Sequence, residues 1–298
     1  PQQMSGKDKL SDMTDEAVKT YRKHNLSALV CLGGQETQKS AYNLSQNGLN
    51  IITLPKAIDN HLAMTDTSVG FDTAMEVAAE AIDRLHSTAH SHHRIIIVEI
   101  MGNNSGWLTL GAGIAGGADV ILIPEIPYEV EKVAEAIAQR NKDNKRFSII
   151  AVAEGASPKD YHEFHERLRQ NNERLRDGDA RRKVNHQLEE MENRNLMDNA
   201  VLLDNRLSAM TGLDTRITIL GYLLRGGVPS AFDRLLATQL GTTCVSMIQK
   251  EQFGVMAAVQ HNSIVPVPLE QVVDKVKQVP ADHPWLLGAR AVGTCMGD

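Results

Sequence analysis

The sequence predicts an α/β protein with mostly parallel sheets and helices on both faces. Three observations carry this. Short apolar runs recur at 28–32, 50–54, 94–100, 120–124, 147–153, 216–220 and 254–259. Helical patterns fill the intervals between them, as in folds that alternate strand and helix. Twenty-two glycines suit many tight strand-to-helix turns, while aromatics at 4% leave the core to Ile, Leu, Val, Ala and Met.

The elements follow in order. The strand at 28–32 runs into Gly33-Gly34-Gln35-Glu36-Thr37, and the strand at 50–54 runs into Pro55-Lys56-Ala57-Ile58-Asp59-Asn60. Ligands bind at the C-terminal ends of such strands, because loops and helix N-termini converge there. A carboxylate held there, Asp59, can accept a proton from a substrate hydroxyl. An Asp-Asn pair after a strand is otherwise an ordinary turn or helix cap. Phe71, Ala74, Met75, Ala78, Ala79, Ile82 and Leu85 then recur at helical spacing, as do Val130, Val133, Ala134 and Ile137. His86 and His90, one helical turn apart, read with His92 and His93 as cations at a helix C-terminus rather than as zinc ligands. Gly102-Asn103-Asn104-Ser105-Gly106 lacks the lysine of a phosphate-binding P-loop and reads as a strand-to-helix turn. Trp107, Leu108, Leu110 and Ile114 behind it read as packing residues. The charged stretch 157–195 predicts a solvated helical hairpin or surface excursion.

Composition narrows the functional classes. At 298 residues and 42% hydrophobic, the chain is long enough for two α/β lobes. A net charge of −6 argues against nucleic-acid or anionic-membrane partners, so an anionic substrate needs local arginines. Cys31, Cys244 and Cys295 are far apart, without metal spacing, as in a reduced cytoplasmic protein. Neither a signal peptide nor an apolar run of spanning length is present, so a cytoplasmic location is expected. The glycosylation-like triplets at Asn25, Asn43 and Asn103 are then chance matches.

From Pro55 to Glu125 the sequence is similar to the phosphofructokinase family. It reads PKAIDNH, FDTA…EAIDR, HSHHR, VEIMG and GGADVILIPE where that family has, in the same order, PKTIDND, FDTA…EAIDR, SSHxR, VEVMG and GxADxIxIPE. Ala153-Glu154-Gly155-Ala156 and the segment from Thr215 to Gly227 extend the resemblance, and it covers nearly the whole chain. It implies two Rossmann-like three-layer α/β lobes: residues 1–70 plus 224–275 as the phosphoryl-donor lobe, and 71–223 plus 276–298 as the fructose 6-phosphate lobe. The implied reaction moves a phosphoryl group from ATP, or in some members pyrophosphate, to the C1 hydroxyl of fructose 6-phosphate. That is a glycolytic step in which positioning and charge neutralisation do most of the catalysis.

Residue by residue, the resemblance assigns the base to Asp59 and a cation for the transferred group to Lys56. It assigns the sugar phosphate to Arg94, Arg216 and Arg225, sugar hydroxyls to Glu154, and the turn beneath the sugar to Met101-Gly102-Asn103. The family's Arg94 and Arg216 counterparts reach across from a neighbouring subunit, which implies a homo-oligomer (dimer or tetramer) with shared sites. Gly34, Gln35, Glu36 and Thr37 occupy the donor-phosphate loop, and Mg²⁺ is the implied ion.

Departures are equally specific. Gln35 stands where an Mg²⁺-linked Asp is common, leaving only a weak ligand for a hard cation. Glu36 replaces the glycine over which the nucleotide α-phosphate passes. With Lys56 it matches the pyrophosphate-using members, whereas the EIMGN and GWLTL wording favours ATP. Ala57 replaces a Thr, His61 replaces a second Asp, and Tyr222 replaces a His of the sugar-phosphate site. Pyrophosphate-dependent transfer and a catalytically impaired sugar-phosphate-binding subunit are therefore the rival readings. Nothing before residue 28 carries a family motif, and 28–32 reads as the first strand. The chain is thus expected either to begin within the family's fold or to lack part of its donor site.

Overall fold

The computed structural model describes residues 2–5, 9–164, 167 and 199–298. These divide into two compact units, one of residues 1–73 plus 229–277, the other of 74–228 plus 278–298.

The first unit is a three-layer α/β structure. Its sheet contains β3 (Leu29–Gly33), β4 (Ile51–Pro55), β9 (Val255–Gln260) and β10 (Ser263–Pro268), in the order β10-β9-β4-β3. The β3-β4 and β4-β9 pairs are parallel and β9-β10 is an antiparallel hairpin. Alternation along the strands feeds two cores. Ile51, Met256 and Ala258 pack with α1 (Thr14–Lys23) and α2 (Gln35–Gln46) on one face. Ile52, Leu54, Ala257 and Val259 pack with Leu236, Leu240 and Cys244 of the Ala231–Gln249 helix on the other.

The second unit has an all-parallel sheet. Its strands are β5 (Ile95–Ile100), β6 (Val120–Leu122), β7 (Ser148–Ala153) and β8 (Thr215–Ile219), in the order β6-β7-β5-β8. Every residue of β5, β6 and β7 is buried, as a strand covered on both faces requires. One face packs Val130, Val133 and Ile137 of α5 (Val130–Lys142) with Leu203 and Leu207. On the other face, α4 (Trp107–Ala115) lies so close that a Cβ on Gly113 would sit 2.8 Å from the Ile121 side chain.

Two expectations are corrected. The strand order does not open at 28–32: β1 (Gln2–Ser5) and β2 (Lys9–Asp12) form an antiparallel hairpin ahead of α1. Ala17, Val18 and Tyr21 of α1 pack on the core, which gives that segment its fold. Ile114 is 39% exposed, on the outer face of α4, while Trp107, Leu108 and Leu110 are buried. α3 (Phe71–His92) runs through all seven helix-patterned positions, with Phe71, Ala74, Ala78 and Ile82 buried. Its last turn carries His90 and His92, and His86 Nε2 lies 2.7 Å from the Gly116 carbonyl oxygen. The charged stretch 157–195 lies outside the described residues beyond 164, save 167.

Candidate active site

In the first unit, the C-terminal ends of β3 and β4 bring the Gly33–Thr37 turn and the loop that begins at Lys56 together. The Gly33 carbonyl accepts the Lys56 backbone N–H and the Gln38 side-chain amide, each at 3.2 Å. α2 starts at once, with Gly34 as its N-cap and no side chain capping it. Gln35, Glu36 and Thr37 form its first turn, whose backbone N–H groups lack intrahelical partners and carry the positive end of the helix dipole. A Cβ on Gly33 would fall 2.1 Å from the Thr37 hydroxyl oxygen, and one on Gly34 would lie 3.7 Å from the Ala57 Cβ. The helix start and the Lys56–Asp59 loop are thus neighbours.

That loop folds back along its own strand. The Val69 N–H donates to the Pro55 carbonyl at 3.0 Å, and the Ser68 hydroxyl donates to the Ala57 carbonyl at 2.5 Å. Lys56 and Glu36 are exposed. Asp59 is partly exposed, and His61 Nδ1 lies 3.4 Å from its Oδ2. Sequence reading treats His61 only as a lost carboxylate, yet in the fold it is the neighbour of the candidate base. Among the described residues, no group of three or more His, Cys, Asp or Glu side chains could hold a metal ion. Gln35 adds an amide only, a weak ligand for a hard cation.

In the second unit the candidate residues fall at opposite ends of the sheet. Met101, Gly102 and Asn103 follow β5, and Glu154 follows β7, with its N–H on the Ile100 carbonyl at 3.0 Å. A Cβ on Gly155 would fall 1.9 Å from the Asn103 carbonyl oxygen, so these two turns press together and demand glycine. After β8, the Leu220 N–H bonds the Glu99 carbonyl at 3.0 Å and a short 3₁₀ turn, Gly221–Arg225, follows. It presents Tyr222, 81% exposed, with the Arg225 guanidinium 5.2 Å from its ring centroid.

Arg94 and Arg216 lie at the other end. Arg94 precedes β5, and Arg216 is in register with Ile96. At about 3.3 Å per residue, Arg94 and Met101 are separated by roughly 20 Å of strand. The Asp214 carboxylate joins the two arginines, accepting from Arg94 Nε at 2.5 Å and from an Arg216 guanidinium nitrogen at 2.6 Å. Sequence reasoning misses Asp214, although an acid between two candidate arginines in sequence order was a usable signal.

Glu99 is also missed, since a lone acid inside an apolar run reads as strand. It is 9% exposed. Burial pushes its pKa from an ordinary 4.5 up to about 7, and the Glu154 carboxylate adds repulsion. The folded state therefore holds the Glu99 proton more tightly than the unfolded chain does. Its contribution to stability is complete below about pH 4.5 and is lost as pH rises through about 7. Glu99→Gln is expected to raise the melting temperature over wild type at pH 8 but not at pH 4. Thermal unfolding across that range checks it, and a gap independent of pH contradicts it.

Two α/β units, a glycine-bounded turn at a helix start and an acid on the neighbouring strand end fit the class of phosphoryl-transfer enzymes. The phosphofructokinase family pattern matches residues 3–248. The chain is 49% identical to an ATP-dependent 6-phosphofructokinase of Propionibacterium freudenreichii subsp. shermanii, over 97% of this chain and 78% of that protein. It is 45% identical to one of Spirochaeta thermophila, over 97% of this chain and 74% of that protein. A pyrophosphate-dependent phosphofructokinase from Marinobacter aquaeolei shares the fold, with a TM-score of 0.71 at 23% identity, over 95% of this chain and 68% of that one. This chain belongs to the phosphofructokinase family. The family match begins ahead of residue 28, where sequence reading found no motif.

Proposed function

We propose that this chain is an ATP-dependent 6-phosphofructokinase. It transfers the terminal phosphoryl group of ATP to the C1 hydroxyl of fructose 6-phosphate, giving fructose 1,6-bisphosphate and ADP in cytoplasmic glycolysis. The observation that carries this reading is that the loop leading to Asp59 meets the uncapped N-terminus of α2 at Ala57. Support comes from the ATP-dependent relatives at 45% and 49% identity.

In this reading Asp59 takes the C1 hydroxyl proton as the new O–P bond forms. The amides at the start of α2 and the Lys56 ammonium neutralise phosphoryl charge, and Mg²⁺ enters with the nucleotide. Glu154 and the Met101–Asn103 turn hold the sugar, while Arg225 and Tyr222 take its phosphate. Arg94 and Arg216 serve the site of a neighbouring copy in a homo-oligomer (dimer or tetramer), which suits their place at the far end of the sheet.

The exposed pair Glu36 and Lys56 favours a second reading, pyrophosphate as donor. A coupled assay with fructose 6-phosphate and each donor in turn decides between them. Turnover with ATP supports the proposal, and turnover with pyrophosphate alone overturns it. Glu36 places a carboxylate in the first turn of α2. Removing one like charge near a phosphate at the surface is worth on the order of 1 kcal/mol. Glu36→Gly is therefore expected to raise kcat/KM for ATP by roughly fivefold, read by the same assay. An unchanged value would mean that the nucleotide does not pass Glu36.

A further inference from the structure

Lys277 is more than 200 residues from Asp59 in sequence, and no motif marks it. Its backbone N–H donates to the His61 carbonyl at 2.8 Å, and the adjacent Val276 bridges to Leu62. Its Nζ donates to Asn60 Oδ1 at 2.9 Å, the Thr65 carbonyl at 2.8 Å and the Asp66 carbonyl at 2.9 Å. An ammonium has three N–H donors, and here each has an acceptor on one loop.

The same loop turns sharply next to the candidate base. Asn60 there is 3% exposed and has φ 51°, a left-handed conformation that asparagine adopts more readily than most residues with a side chain. Its own amide donates to the Asp66 carbonyl at 3.3 Å, closing the loop on itself. The far side is tied to β9, with the Asp66 N–H on the Val259 carbonyl at 2.7 Å and the His261 N–H on Asp66 Oδ2 at 2.7 Å. The Asn60 side, the one nearest Asp59, is held by Lys277.

We propose that Lys277 is a positioning residue for the Asp59 carboxylate: its ammonium clamps Asn60, Thr65 and Asp66 and so fixes where the base points. The proposal rests on the reading of Asp59 as the base. Burial pushes the Lys277 pKa down to about 8, partly offset by the Asp66 carboxylate, which marks the clamp as desolvated rather than a loose surface contact.

The test uses the full chain with ATP and fructose 6-phosphate, comparing Lys277→Met, Lys277→Arg, Asn60→Gly and Asp59→Asn, with kcat expressed per folded enzyme. Lys277→Met is expected to lower kcat about 10- to 100-fold, the range for a misplaced catalytic group, with KM for fructose 6-phosphate within twofold of wild type. Lys277→Arg keeps the charge and recovers part of the loss. Asn60→Gly tolerates the backbone conformation but removes one acceptor, and lowers kcat less than Lys277→Met. Adding Lys277→Met to Asp59→Asn produces no further loss. A merely structural lysine would lower the melting temperature and leave kcat of the folded fraction unchanged. If Asp59→Asn is inactive while folded Lys277→Met keeps kcat within twofold of wild type, the clamp is overturned and the base stands. Should Lys277→Met fail to fold, the same criterion applied to Asn60→Gly decides. If Asp59→Asn retains wild-type turnover, the reading of the base itself falls.

Discussion

Replacing Asp59 with Asn is expected to lower kcat by about 10²- to 10⁴-fold, the usual contribution of a positioned general base, with little change in KM for fructose 6-phosphate. The amide keeps the shape of the side chain but cannot accept the C1 hydroxyl proton as the O–P bond forms. The loop should survive the change. Hydrogen bonds at Pro55, Ala57, Asn60, Thr65 and Asp66 help to hold its shape. Steady-state kinetics on the purified variant read this directly. Wild-type kcat would remove Asp59 from the chemistry. Fructose 6-phosphate bound by a parent protein that never turns over would instead favour a binding subunit.

The second large effect falls on substrate binding. Arg216→Ala is expected to raise KM for fructose 6-phosphate about 10- to 100-fold. That is the worth of one charge-assisted hydrogen bond to a phosphate, about 1.5–3 kcal/mol. Arg216 sits with Arg94 on the Asp214 carboxylate, at the end of the sheet away from Glu154 and Met101. In the proposed function, the phosphate it binds belongs to another copy's site. Mixing Arg216→Ala with Asp59→Asn should restore part of the activity that neither has alone, because some sites then draw an intact base from one subunit and an intact arginine from the other. Mixtures no more active than their separate components would place Arg216 in its own subunit's site or outside it.

Much of this architecture was legible in the sequence, for identifiable reasons. Seven strands begin within a residue of the apolar runs, because buried parallel strands such as β5 are apolar throughout. β10 escaped because Pro266 and Pro268 argue against a strand, yet as the antiparallel partner at the sheet's edge it tolerates both. The Ala231–Gln249 helix gave no clean stripe. Leu236, Leu240 and Cys244 are buried while Phe232, Leu235 and Val245 are exposed, so apolar residues lie all round it.

In the site, Asp59 and the Gly34–Thr37 turn were legible because their chemistry is written in a local run of residues. Lys277 and Asp214 were not. Lys277 bonds the loop across 211 to 217 residues, and Asp214 reaches Arg94 across 120, separations at which only tertiary structure brings groups together.

The most direct measurement is a crystal structure of the assembled protein with fructose 6-phosphate bound. A carboxylate oxygen of Asp59 should lie about 3 Å from the C1 hydroxyl, with Arg225 and a neighbouring copy's Arg94 and Arg216 on the 6-phosphate. A sugar phosphate held by those guanidinium groups with Asp59 beyond hydrogen-bond reach of C1 would contradict the account.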